Sequence, residues 1–115
     1  SIDQEAMNQQ LRIHGSVEEV VLHYAALAKE AGLHGVVCSP QEAGIIKSRL
    51  GKDFLSVTPG VRPAGSATGD QKRISTPAEA IKAGSDYLVI GRPITRSRDP
   101  QQVFNEILAE IEVVL

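Results

Sequence analysis

The sequence predicts an α/β fold in which helices flank a parallel sheet. Three short apolar runs, at residues 35–38, 54–57 and 87–90, lie between segments with helical patterns. They are too short for helices and lack polar alternation, which is typical of parallel strands buried on both faces. Aromatic residues make up only 3% of the chain, so Val, Ile, Leu and Ala must form the core.

Helix starts are marked by a capping residue that precedes Glu or Gln by three positions. This pattern occurs at five places, namely Ser1, Ser16, Ser39, Thr76 and Asp99. The capping oxygen can accept a hydrogen bond from an amide of the first turn, and a Glu at the third position can reach back. Proline follows three of the five caps directly, at the first helical position, where it is tolerated.

Apolar residues at helical spacing follow these caps. After Ser16 the predicted core-facing stripe consists of Val17, Val20, Val21, Tyr24, Leu27, Ala28 and Ala31. Glycines at 32, 51 and 84 are expected to end three of the helices. The order of helices and strands therefore predicts consecutive βα units joined by right-handed crossovers.

Three βα units alone would leave two apolar sheet edges unprotected. A closed (β/α)₈ TIM barrel removes the edges and uses eight units in about 250 residues. We therefore expect residues 1–115 to be the C-terminal part of a single barrel domain without an internal boundary. The chain would supply about the last three βα units and a preceding helical region. A small open three-layer domain is the alternative.

Composition excludes several function classes. The net charge of −2 provides no dominant basic patch for nucleic acid, and no apolar run approaches the roughly 20 residues of a membrane span. A single cysteine, Cys38, excludes an internal disulfide, fits a reducing cytoplasmic compartment and is expected to be a small buried filler. The three histidines, His14, His23 and His34, are not spaced as a metal site.

The segment from Val57 to Ile74 is an unusually long polar connection. It carries three glycines, two prolines, one glutamine and three cations. Compact domains rarely keep such a connection unless it covers a ligand. Its composition suits a flexible lid over an anion.

A second chemical motif follows the last predicted strand. Gly91 leaves its amide open to a ligand, and Arg92 can add a bidentate, charge-assisted contact to a phosphate. Loops after the last two strands form the usual phosphate site of a barrel. A tight turn with a solvated arginine is the structural alternative.

The motifs V-T-P-G-V-R-P, G-D-Q-K-R-I, T-P-A-E-A and A-G-S-D-Y-L-V-I-G-R-P-I-T resemble bacterial orotidine 5′-phosphate decarboxylase. The resemblance covers most of residues 35–100, in the family's order and spacing. It implies a (β/α)₈ barrel that converts orotidine 5′-monophosphate to UMP and CO₂ without a metal or organic cofactor, usually as a homodimer.

The resemblance also implies roles for particular residues. Arg62 would contact the substrate phosphate, and Gln71 would reach from the phosphate towards the pyrimidine. Gly91 and Arg92 would hold the phosphate by backbone and side chain, and Pro59 would shape the pocket beside the base.

The family's D-x-K-x-x-D motif, whose lysine protonates the carbanion, does not occur in this sequence. The sequence therefore provides substrate-binding residues and no catalytic ones, and the remainder of a barrel N-terminal to Ser1 is an expected partner. Two alternatives remain open: another phosphate-binding barrel enzyme, such as a sugar-phosphate aldolase or isomerase, and a non-catalytic module that binds a nucleotide monophosphate. Neither nucleic acid nor a membrane is an expected partner.

Overall fold

A parallel sheet of three strands forms the centre of the structure, a computed structural model that describes residues 2–64 and 75–115. The strands are β1 (Gly35–Val37), β2 (Leu55–Thr58) and β3 (Tyr87–Leu88), in that order across the sheet. Helices in the described part are α1 (Val17–Glu30), α2 (Pro40–Leu50), α3 (Pro77–Ala83), α4 (Arg92–Thr95) and α5 (Pro100–Glu112). The predicted succession of three βα units is confirmed.

Within residues 2–64 and 75–115, helices cover one face of the sheet. In the register, Gly35 lies opposite Leu55 and Val57 opposite Tyr87, so these side chains share the other face. Val37 is 72% exposed and Tyr87 59% exposed. Among the described residues, the strands are therefore covered on the first face, on which α1 and α2 pack, and exposed on the second.

The core lies between that first face and helices α1 and α2. Its buried residues are Ala25, Cys38, Ala43, Ile46 and Phe54. Cys38 is thus buried among apolar side chains, as predicted.

The core-facing side of α1 differs from the predicted stripe. Val21 and Ala28 pack against the core, but Tyr24 is 55% exposed and Leu27 49% exposed. The buried centre of the helix face is Ala25, which the apolar pattern omitted. A small residue at the contact lets two helices approach closely, and the bulky neighbours then lie outside.

Two of the five predicted caps form complete capping boxes. The Glu19 amide donates to Ser16 Oγ at 3.0 Å, and the Glu79 amide donates to Thr76 Oγ1 at 3.2 Å. In each box the glutamate carboxylate accepts the amide of its capping residue. A third cap forms at Asp99, whose carboxylate accepts the Gln102 amide at 3.1 Å.

The other two caps differ from the prediction. Helix α2 begins after Ser39, but the serine hydroxyl makes no capping hydrogen bond, and the Glu42 amide donates to the Ser39 carbonyl instead. Ser1 lies outside the described residues. The carboxylate of Asp3 accepts the Ala6 amide at 2.8 Å and so begins a short helical segment that includes a π-helical turn, Ala6–Gln10.

A charged network joins the strands at their amino-terminal ends. The Lys47 ammonium contacts the Asp86 carboxylate and donates to the carbonyl of Phe54 at 2.8 Å. The Ser56 amide donates to the same carboxylate at 2.8 Å. Burial raises the pKa of Asp86, but hydrogen bonds from Lys47 and Ser56 outweigh burial and leave the pKa below its ordinary value of 3.8.

We expect Asp86→Asn to lower the free energy of unfolding at pH 7 by roughly 1–2 kcal/mol, less than for a fully buried pair because the carboxylate is partly exposed. Since folding lowers this pKa, the carboxylate stabilises the fold above the unfolded-state pKa, and the contribution disappears as the pH falls through the folded-state pKa. Urea unfolding between pH 7 and pH 2 should therefore show the two proteins converging in acid. Asp53→Asn, at an exposed site, is the control, and a pH-independent difference for Asp86→Asn would contradict the assignment.

Candidate phosphate-binding site

A cleft of about 210 Å³ opens at the carboxyl-terminal ends of β2 and β3. One wall consists of residues 59–62, directly after β2, and the other of Val89 and residues 91–93, after β3. Because parallel strands end at the same edge of a sheet, the two loops are brought together although about 30 residues separate them in the chain.

The first wall is held in place by the backbone. Gly60 has a φ of 75°, in the left-handed region that favours glycine, and turns the chain after Pro59. Val61 is buried and forms an isolated parallel bridge with Ser75. The Arg62 amide donates to the Ser75 carbonyl at 2.9 Å. Both ends of the long polar connection therefore meet beside the cleft.

One donor of Arg62 has no acceptor in the described part of the chain. Its Nε atom is buried and has no hydrogen-bond partner among residues 2–64 and 75–115. Leaving a buried donor unpaired costs free energy, more so when the group is charged. An anion in the cleft would supply the missing acceptor.

The second wall turns at Gly91. The Val89 amide donates to the Thr58 carbonyl at 2.9 Å, which fixes this wall against the first. The Gly91 carbonyl accepts the amides of Ile94 and Thr95, and α4 begins at Arg92. Apart from its chain neighbours, a Cβ atom built on Gly91 would meet no described atom within 4 Å, so this backbone faces open space in the described part of the chain.

Helix α4 was not predicted from the sequence. Pro93, directly after Gly91-Arg92, is the local signal that could have indicated it, because proline is favoured in the first turn of a helix. Barrel proteins frequently place a short extra helix at this position beside a bound phosphate.

The charge of the cleft suits an anion. Two arginines, Arg62 and Arg92, line it, and its described lining contains no carboxylate, lysine or histidine. Guanidinium groups bind phosphate oxygens bidentately. The described lining residues therefore suit the binding of an anion.

The structure brings together four of the five predicted site residues, namely Pro59, Arg62, Gly91 and Arg92. Gln71 and the rest of the predicted lid, residues 65–74, lie outside the described residues. That Arg62, Gly91 and Arg92 contact a substrate phosphate, and that Pro59 shapes the pocket beside the base, stays a prediction. In the described part of the chain, no three His, Cys, Asp or Glu side chains are grouped to hold a metal ion, and no helix is long and apolar enough to cross a membrane.

Three consecutive βα units, with a cleft at the carboxyl ends of β2 and β3, are the arrangement expected of a part of a (β/α)₈ barrel. The chain belongs to the Orotidine 5′-phosphate decarboxylase / HUMPS family, whose model matches residues 1–107. The resemblance drawn from the motifs is thereby confirmed, as is the fold class.

Relatives named orotidine 5′-phosphate decarboxylase match most of the chain. One from Aliivibrio fischeri is 61% identical over 98 residues, which are 85% of this chain and 42% of the relative. Another, from Moorella thermoacetica, is 54% identical over 114 residues, or 99% of this chain and 45% of the relative. The chain thus spans less than half the length of these relatives.

Solved structures show the same coverage. The crystal structure of orotidine 5′-phosphate decarboxylase from Lactobacillus acidophilus matches with a TM-score of 0.78 at 36% identity, over 96% of this chain and 44% of that one. An uncharacterized conserved protein from Geobacillus kaustophilus matches with a TM-score of 0.77 at 42% identity and the same shares of both chains.

Proposed function

We propose that the protein carrying this chain converts orotidine 5′-monophosphate to UMP and CO₂, and that the cleft holds the phosphate of the substrate. The observation that carries the proposal is the pair Arg62 and Arg92 in one cleft, with the buried Arg62 Nε lacking an acceptor among the described residues. Relatives that bear the decarboxylase name at 54–61% identity support the choice of substrate.

Each cleft residue has a proposed role. Arg62 and Arg92 bind the phosphate oxygens from opposite walls, and the open backbone of Gly91 brings its amide within reach of the same anion. Pro59, on the first wall, shapes the pocket beside the base. Gln71 is proposed to reach from the phosphate to the pyrimidine.

The free energy gained by binding the phosphate can assist a reaction at a distant carbon atom of the same substrate. Interactions with a non-reacting group can hold a substrate in place and close a loop over it, which excludes water from the reacting bond. Arg62 is suited to this use, because its amide is bonded to Ser75 at the far end of the long polar connection. The connection would close over the phosphate from an anchored base.

Further proposals concern the whole protein. Residues 1–115 would form one continuous part of a barrel domain, with the acid–base residues contributed by the rest of the barrel. A homodimer is proposed from the family resemblance alone. A cytoplasmic location is proposed because the lone cysteine is free, and reduced thiols are typical of that compartment.

A second candidate is a module that binds a nucleotide monophosphate without transforming it. It is favoured by the described lining of the cleft, which contains no acid–base group. Release of CO₂ from orotidine 5′-monophosphate by the protein carrying this chain distinguishes the two. Binding of UMP without CO₂ release would select the module, and binding of neither nucleotide would refute both.

Arg62→Ala tests the phosphate contact directly. We expect the Kd for UMP to rise about tenfold or more, because a hydrogen bond between charged partners contributes roughly 1.5–3 kcal/mol. The Kd for uridine, which lacks the phosphate, should stay within twofold. Titration calorimetry measures both, and Arg49→Ala, on the exposed end of α2, is the matched control. Equal losses for UMP and uridine would show that Arg62 does not act on the phosphate.

A further inference from the structure

Glu110 makes a hydrogen bond to the start of a different helix. Its Oε2 atom, on α5, accepts the backbone amide of Ala78 at 2.8 Å, in a partly buried position. Ala78 is the second residue of α3, where the helix leaves its first amides without intrahelical partners. A side chain 32 residues along the chain therefore completes the capping of α3.

The start of α3 also supports the first wall of the cleft. Thr76 and Glu79 cap the helix through their mutual hydrogen bonds. Ser75, one residue earlier, accepts the Arg62 amide and bridges Val61. Any shift of the α3 start therefore moves Ser75 and, through the hydrogen bond between them, Arg62.

Helix α5 contacts the second wall as well. It packs against both α3 and α4, and α4 begins with Arg92. One rigid helix thus connects the support of Arg62 with the support of Arg92. The Glu110–Ala78 bond is its polar attachment to the α3 side.

We infer that Glu110 is a positioning residue, which sets the separation of the two arginines and so the affinity of the cleft for a phosphate monoester. Glu110 does not line the cleft, and it acts through Ala78, Ser75 and Arg62. The inference rests on the proposed function, because it assumes that the two arginines bind one phosphate.

The test compares three variants of the protein that carries this chain. For Glu110→Ala we expect the Kd for UMP to rise about tenfold, since a distant substitution that misplaces site groups by about 1 Å can cost as much as about a hundredfold in efficiency. The Kd for uridine should not change. Glu110→Gln, which keeps an oxygen acceptor of the same reach, should restore UMP binding to within twofold. Glu112→Ala removes an exposed carboxylate from the same helix and should behave as the unchanged protein.

Selectivity for the phosphate separates positioning from a general loss of structure. Equal weakening of UMP and uridine, or no change for a folded Glu110→Ala protein, would overturn the inference. If Glu110→Ala does not fold, Glu110→Asp replaces it, because aspartate keeps the charge and shortens the side chain. UMP binding by Glu110→Asp as tight as in the unchanged protein would overturn the inference. A loss of affinity for UMP but not for uridine would support it. If the unchanged protein bound no UMP, the proposed function itself would have failed.

Discussion

Arg92→Ala is expected to lower kcat/KM for orotidine 5′-monophosphate by about 10- to 150-fold in the protein that carries this chain. The estimate follows from roughly 1.5–3 kcal/mol for a charge-assisted hydrogen bond and 1.36 kcal/mol for each tenfold change in rate. Arg92 lines the cleft opposite Arg62, directly after the open backbone of Gly91. Steady-state kinetics under subsaturating substrate measure the effect.

Matched variants show whether the loss of kcat/KM comes from the lost phosphate contact. Arg98→Ala removes an exposed arginine outside the cleft and should leave kcat/KM within twofold. Arg92→Lys keeps the charge but loses the planar fork, so we expect an intermediate loss. Gln71→Ala should also lower kcat/KM if the glutamine joins phosphate and base. An unchanged kcat/KM in both Arg92→Ala and Gln71→Ala would refute the proposed phosphate-binding role.

Local chemistry made much of this fold predictable. The capping boxes at Ser16 and Thr76 depend on residues three positions apart, and both form as expected. The positive φ of 102° at Gly51 and of 112° at Gly84 likewise follows from residues that tolerate the left-handed region at helix ends. Signals of this kind are contained within one turn of chain and do not require knowledge of distant packing.

Predictions that depended on what lies opposite a side chain were less successful. Tyr24 and Leu27 continue the apolar stripe of α1, yet the helix turns Ala25 to the core and exposes them by about half. Val37 and Tyr87 have strand-like apolar character but lie on the face of the sheet without helices. Apolar periodicity indicates which face of a helix or strand is to be buried, but it does not specify which other element covers that face.

The site was predictable to the same extent. Parallel strands end at one edge, so residues 59–62 and 91–93 could be expected to meet, and they line one cleft. Neither the burial of the Arg62 Nε without a partner among the described residues nor the hydrogen bond from Ala78 to Glu110 could be expected, because both depend on tertiary contacts. Helix α4 is too short for periodicity to reveal.

The two ends of the strands differ in the charged residues that they carry. At the amino-terminal ends, Lys47 and Asp86 form an ion pair supported by the Ser56 amide. At the carboxyl-terminal ends, Arg62 and Arg92 line a cleft with no described carboxylate. In barrel proteins the first end contributes stability and the second end the active site. Variants at the two ends should therefore separate stability from ligand binding.

Gly35→Ala should cause the largest loss of stability, at least about 3 kcal/mol in the free energy of unfolding, near the upper range for overpacked sites. A Cβ atom at this position would lie 2.2 Å from the Leu55 carbonyl oxygen and 2.7 Å from the Leu55 Cβ atom. The obstacle is backbone, so no rotamer change can relieve it, and β1 must separate from β2 where Gly35 and Leu55 are paired. Because native domains are stable by only about 5–15 kcal/mol, this is a large fraction.

Gly91→Ala is the matched control for this substitution. Apart from its chain neighbours, its added methyl group meets no described atom within 4 Å, so the free energy of unfolding should change by less than about 1 kcal/mol. The methyl group would instead occupy space in the cleft, and the Kd for UMP should rise while the fold persists. Urea unfolding and UMP titration of both variants measure the contrast. A Gly35→Ala protein as stable as the unchanged one would show that β1 and β2 do not approach each other this closely at Gly35.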